Sequence, residues 1–146
     1  MNRKLKRALF IGGMVAVGVQ SFRSYRVFKE IKPLEKELSE YLHSLYGETP
    51  EFHSSMIVNL FINVDVTVLF SPEFLAIHTD VEEVVRQYLS DNCPMICKSR
   101  LTVIVEDNTM SKAEIIKKHS PKMYKLFGPL IEKKLKVAEA KETPKE

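Results

Sequence analysis

The chain has 146 residues, 45% hydrophobic and 28% charged, with a net charge of +3 and only two cysteines. That is room for one ordinary globular domain with appendages, and it excludes a collagenous, low-complexity or disulfide-stapled protein. The net charge conceals a segregation. Residues 1–29 hold seven basic and no acidic residues, residues 30–110 five basic against fourteen acidic, and residues 111–146 ten lysines against five glutamates. An acidic body argues against a nucleic-acid partner, because it would repel a phosphate backbone, and leaves membrane lipid as the simplest partner for the basic start.

The start is the most distinctive element. Arg3, Lys4, Lys6 and Arg7 precede an apolar run from Ala8 to Val19, or to Phe22 if Gln20 and Ser21 are included; Arg23, Arg26 and Lys29 follow it. A spanning helix needs about 20 apolar residues and at least about 17. This run supplies twelve to fifteen, and the flanking cations can snorkel to extend its reach. The expected membrane-contacting residues are Arg3, Lys4, Lys6, Arg7, Phe10, Ile11, Met14, Val15, Val19, Phe22, Arg23 and Arg26. An uncleaved single-pass anchor is the preferred reading, and the slight cationic surplus before the run favours a cytoplasmic amino terminus. A cleaved secretory signal is an alternative, although a small-x-small cleavage site is missing. A mitochondrial targeting segment, with Ser21 and Ser24 in an acid-free start, is another.

From Leu34 the pattern is that of a solvated amphipathic helix, with Leu34, Leu38, Tyr41, Leu42 and Leu45 on one side. Pro33 suits its start and Gly47 its stop. Alternatively, Tyr25–Ile31 continues the membrane helix, with Pro33 as a kink. Val58, Leu60, Ile62, Val64, Val66, Val68 and Phe70 then alternate with polar residues, which predicts one long or bulged strand with a single buried face. A turn at Asn63–Asp65 would flip the faces, and the alternation does not flip. At a sheet edge such a strand would invite strand addition by a partner. Ser71-Pro72-Glu73 reads as a turn and Phe74–His78 as a short antiparallel return strand. Asp80–Glu83 resembles a capping box opening a helix with Val81, Val84, Val85, Tyr88 and Leu89 inward. Asp91–Pro94 ends it, and Leu101–Val105 is a strand. Ser111–Glu114 is a second capping box, with Ile115 and Ile116 inward. Ser120-Pro121 opens a last helix that Gly128-Pro129 interrupts, and the Lys- and Glu-rich tail has a disordered composition.

The expected fold is therefore α+β, in the order α-β-β-α-β-α. A membrane-type helix precedes a small, mostly antiparallel sheet of about three strands packed with helices. The expected divisions are residues 1–31 for anchor and juxtamembrane helix, 32–137 for the domain and 138–146 for the tail. The element order over residues 34–110 resembles small modules of bacterial envelope assemblies, such as ring-building and BON-type domains, without a shared motif. That resemblance implies a role in assembly.

Chemistry is sparsely signalled. No histidine spacing, glycine-rich loop or nucleophile motif points to a catalytic, cofactor or metal site, and no small-molecule substrate is evident. Cys93 and Cys97 stand in C-x3-C spacing, which is neither a redox nor a zinc motif, and Pro94 between them suggests an irregular loop. His78 and Asp80 could pair at a strand end. Asp65 is read as solvated or paired across the sheet. Glu106-Asp107-Asn108 lacks the pattern of a calcium loop. In the last helix Lys122, Lys125, Lys133 and Lys134 form a basic face suited to anionic lipid or an acidic partner. Together these features predict a non-catalytic, membrane-anchored interaction or assembly module, with a protein partner or self-association. Two alternatives remain: a membrane-tethered hydrolase or thiol-redox protein, and a soluble organelle protein with a cleaved targeting segment.

Overall fold

The computed structural model describes residues 3–142, without the side chains of residues 3–17, Met123, Ile131, Leu135, Lys136 and 138–142. The first element, α1, is one helix from Arg3 to Tyr46, 44 residues long, with Pro33 in its interior. Pro33 is therefore not a helix start. A proline there removes one backbone hydrogen bond and costs about 3 kcal/mol. Val27, Leu34, Leu38 and Leu42, all at most 1% exposed, outweigh it, because each buried aliphatic side chain contributes roughly 1.5–3 kcal/mol. Gly47 stops the helix as its pattern suggests: it adopts φ +78° and donates its N–H to His43 O at 2.8 Å, a left-handed cap that glycine adopts without steric cost.

The expected long strand is a hairpin. β1 (Glu51–Val58) and β2 (Ile62–Phe70) are antiparallel and joined by Asn59, Leu60 and Phe61. Val58 pairs with Ile62, Met56 with Val64 and Phe52 with Val68. A three-residue connection thus pairs even positions with even ones, so a turn passes without breaking the alternation. Leu60 belongs to that turn rather than to a strand.

Beyond β2 the expected return strand is instead helix α2, Pro72–Ile77. Ser71 is its N-cap, Pro72 occupies the first turn, and Phe74 N donates to Ser71 Oγ at 3.4 Å. Glu48 locks this corner by accepting from Ser71 N at 2.8 Å and Ser71 Oγ at 3.0 Å. Next come α3 (Val81–Asn92) and the single turn α4 (Pro94–Cys97), which replaces the expected loop between the cysteines. Asp80 caps α3 by position only; its side chain makes no capping hydrogen bond. Glu30, midway along α1, accepts from Met95 N at 3.0 Å and Ile96 N at 2.9 Å, and so ties α1 to the start of α4.

Strand β3 (Arg100–Asp107) returns parallel to β2, so the sheet is mixed rather than mostly antiparallel, in the order β1-β2-β3. The helical crossover α2–α4 makes this possible, since parallel neighbours need a long connection. The strand with the strongest apolar pattern is central and paired on both sides, so the sheet edges are β1 and β3. Its even positions, from Ile62 to Phe70, are buried with residues of α1, α3 and α4. The other face carries Asn63, Asp65 and Thr67, half-buried.

Helix α5 (Lys112–His119) opens with the expected capping box on Ser111 and Glu114, and Ile115 is buried. Helix α6 runs unbroken from Pro121 to Glu142 through Pro129, so Gly128-Pro129 does not interrupt it. Gly128 lies against the Tyr124 ring, where an added Cβ would come within 3.3 Å of Cε1. Among the described residues, no helix is long and apolar enough to cross a membrane.

Candidate functional site

The two thiols differ in burial and share an upward shift. Cys93 is buried and Cys97 exposed, and both are free. Burial, reinforced by the Glu30 carboxylate, pushes the Cys93 thiol up to about 11 and Cys97 upward as well. Reactive cysteines need the opposite shift.

His78 and Asp80 are drawn to different partners. The His78 ring stacks on Phe74 with centroids 4.4 Å apart and meets the Tyr46 ring at 4.9 Å. Asp80 Oδ2 accepts from the Tyr46 hydroxyl at 3.1 Å. Burial first, and that hydrogen bond second, push Tyr46 up to about 12. With Phe70 stacked on Phe74 at 4.3 Å, this end of the sheet is an aromatic cluster.

The carboxylates after β3 are also engaged. Glu106 Oε1 meets Lys118 Nζ at 2.6 Å and His119 Nε2 at 2.8 Å, which fixes α5 to the strand. Asp107 Oδ1 accepts from the backbone N–H groups of Thr109 and Met110 at 3.0 and 3.2 Å. Asp65 accepts from Ser55 Oγ across the strand pair at 3.3 Å. Among the described residues, no group of His, Cys, Asp or Glu is placed to hold a metal ion.

The opposite end of the sheet is different. Gln20 Nε2 donates to Asn59 O at 3.4 Å, which sets the β1–β2 tip beside α1 at the end of the apolar run. Asn59 Oδ1 accepts from Phe61 N at 2.9 Å and closes the turn. Leu60 projects from it, 89% exposed, with Ile57, Val58 and Phe61 exposed beside it. The Arg100 guanidinium lies over the Phe61 ring, 3.6 Å from its centroid, a close cation–π contact. Behind the tip is a groove of about 150 Å³ whose charged lining is Arg23, Lys98 and Arg100, without a carboxylate. Among the described residues, no ion pair involves Arg23, Arg26, Lys98 or Arg100.

Of the expected membrane-contacting residues, Val19, Phe22, Arg23 and Arg26 are exposed at this end. The side chains of Arg3, Lys4, Lys6, Arg7, Phe10, Ile11, Met14 and Val15 lie outside the described residues. Lys122, Lys125, Lys133 and Lys134 are exposed on α6. That helix starts from the Phe70 end, since β3 runs from Arg100 beside Asn63 to Asp107 beside Phe70. Sequence reasoning missed Leu60 and Phe61 as a tip, and Lys98 and Arg100 as its cations. The available signal was two large apolar residues following Asn59, where tight turns favour Gly, Asn, Asp or Pro. Compared with known proteins, the chain matches no family model, no curated protein and no solved structure.

Proposed function

We propose that the protein is a non-catalytic, membrane-anchored interaction or assembly module. The apolar run at residues 8–22 is held in a bilayer, and the α+β body is carried at its surface. The observation that supports this best is the coincidence at one end of the sheet. There the last turn of the apolar run, the apolar β1–β2 tip and three cations, Arg23, Lys98 and Arg100, which make no ion pair among the described residues, occupy the same pole of an otherwise acidic body. As a helix the fifteen-residue run is about 22 Å long at a rise of about 1.5 Å per residue, against a hydrocarbon core of about 30 Å. Arginines and lysines at both ends would have to snorkel to make up the difference.

The interaction role draws support from α6. It packs mainly on α5, and it leaves Leu126, Phe127, Leu130 and Val137 at least 50% exposed beside its lysines. Tethering would raise the local concentration of such a surface toward partners on the same membrane, so that weak contacts suffice. Fractionation of the full-length protein tests the anchor. Retention in the membrane pellet after carbonate extraction is the expected result, and complete release into the supernatant overturns the reading.

A further inference from the structure

Turn chemistry does not account for Leu60 and Phe61. Asn59 closes the connection with its own side chain, and no non-glycine residue among those described has a positive φ. Packing does not account for Leu60, which is almost fully in solvent, and it leaves half of Phe61 exposed beneath the Arg100 guanidinium. One exposed leucine is ordinary. These two continue into exposed Ile57 and Val58 and lie at the level of exposed Val19 and Phe22 on α1. A contiguous apolar patch rimmed by charge marks a contact surface. Here the charged residues lining the adjoining groove are all cations, although the body between residues 30 and 110 is strongly acidic.

We propose that Leu60 and Phe61 enter the headgroup layer of the bilayer that holds the apolar run, while Arg23, Lys98 and Arg100 take the phosphate of an anionic phospholipid in the groove behind them. This rests on the anchored reading above. Position supports it: the Gln20–Asn59 hydrogen bond sets the tip beside the last turn of the run, so a bilayer that takes residues 8–22 brings its headgroups to the tip. Charge supports it too, since Arg23, Lys98 and Arg100 line the groove and no carboxylate residue does; the nearby Glu30 carboxylate is already taken by the Met95 and Ile96 N–H groups, and guanidinium and ammonium groups recognise phosphate oxygens. A lipid satisfies both halves of the site at once, its phosphate facing the cations and its glycerol and upper acyl segments facing Leu60 and Phe61. With α1 as one contact and the tip as a second, the domain would be held at a fixed tilt on the membrane instead of swinging on a single helix.

The test uses full-length protein carrying Cys97→Ser and Leu60→Cys, labelled at residue 60 with an environment-sensitive fluorophore; buried Cys93 is left in place. It is mixed with vesicles of phosphatidylcholine alone or of phosphatidylcholine with phosphatidylglycerol, each containing a headgroup nitroxide lipid. The expected result is a blue-shifted, nitroxide-quenched label in the anionic vesicles. A matching label at Glu73→Cys, on α2 at the other end of the sheet, stays unquenched. Replacing Arg23, Lys98 and Arg100 by glutamine, all exposed positions, is expected to weaken the preference of the tip for anionic vesicles roughly fivefold per charge. A chain that floats with the vesicles while the residue 60 label stays in water overturns the tip contact and leaves the anchor standing. Equal quenching in neutral and anionic vesicles overturns the phosphate site. A chain that floats with neither overturns the anchor and this proposal together.

Discussion

Cys93 and Cys97 show how much a residue's chemistry depends on neighbours remote in sequence. Their spacing is plain in the chain, and so is the lack of a redox or zinc motif. Their inequality is not, because it arises from burial: Cys93 joins the core cluster that includes Val27, Leu34, Leu38 and Leu42 of α1, and Cys97 does not. Cys93 sits at 5% exposure with its thiol pushed up to about 11 by burial and then by Glu30, whereas Cys97 faces solvent. Since the thiolate is the reactive form, a native protein treated with a thiol-reactive chromophore at pH 8 is expected to release one slow equivalent, from Cys97. Cys93 should react only after denaturation. Two fast equivalents in the native state would show that the burial described here does not hold in solution. Asp80 makes the same point: the capping pattern after it is readable in sequence, yet its carboxylate is taken by Tyr46, 34 positions earlier.

At the scale of the element, the helices with strong local end signals were legible and those decided by packing were not. Ser111 and Glu114 make their capping box as the spacing indicates, and Gly47 ends α1. Pro33 and Pro129 both carry a stop signal, and both lie inside helices. For Pro33 the reason is the row of buried Val27, Leu34, Leu38 and Leu42 on either side. Because the Pro33 side chain is exposed, Pro33→Ala is expected to raise stability by about 1–3 kcal/mol, measured by urea denaturation, through recovery of one helical hydrogen bond without a new cavity. A loss of stability would mean that the proline bend itself is needed for packing. The hairpin was hidden by parity, since a three-residue turn leaves the even positions on one face. β1 was hidden because its own face alternates poorly, with Phe52 buried but Ser54 exposed.

The junction of β3 and α5 gives a pH dependence with a definite sign. Burial alone would raise the Glu106 carboxyl, but hydrogen bonds from Lys118 and His119 together outweigh it and hold Glu106 below the ordinary glutamate range. A lowered folded-state value contributes stability that is complete above the unfolded value of about 4.3 and is lost as pH falls through the folded value. Thermal melts should therefore show part of the acid destabilisation below about pH 4 disappearing in Glu106→Gln. At neutral pH that variant should be less stable by about 1–2 kcal/mol, discounted because Lys118 is largely exposed. An unchanged acid profile would remove Glu106 from the account.

For the whole molecule, the charge segregation is a property of the chain, but its meaning depends on the fold. Lys98 and Arg100 belong to the acidic stretch by sequence and to the basic pole by position, brought there because β3 begins beside the residues that follow the tip. The carbonate extraction and the residue 60 label both address this scale, one asking whether the chain is held in a bilayer and the other which pole faces it.

Composition, the fenced apolar run, the α+β class, most helix positions and the strand content near residues 62–70 and 101–105 are written in local patterns. Periodicity and capping act over a few residues, so the sequence alone determined them. The parallel placement of β3, the central position of β2, the helical state of residues 72–77, the fates of Pro33 and Pro129, and the meeting of Gln20 with Asn59 were decided only in the tertiary structure. Each depends on apolar burial or pairing between residues far apart in the chain, and those energies outweigh the local preferences they oppose.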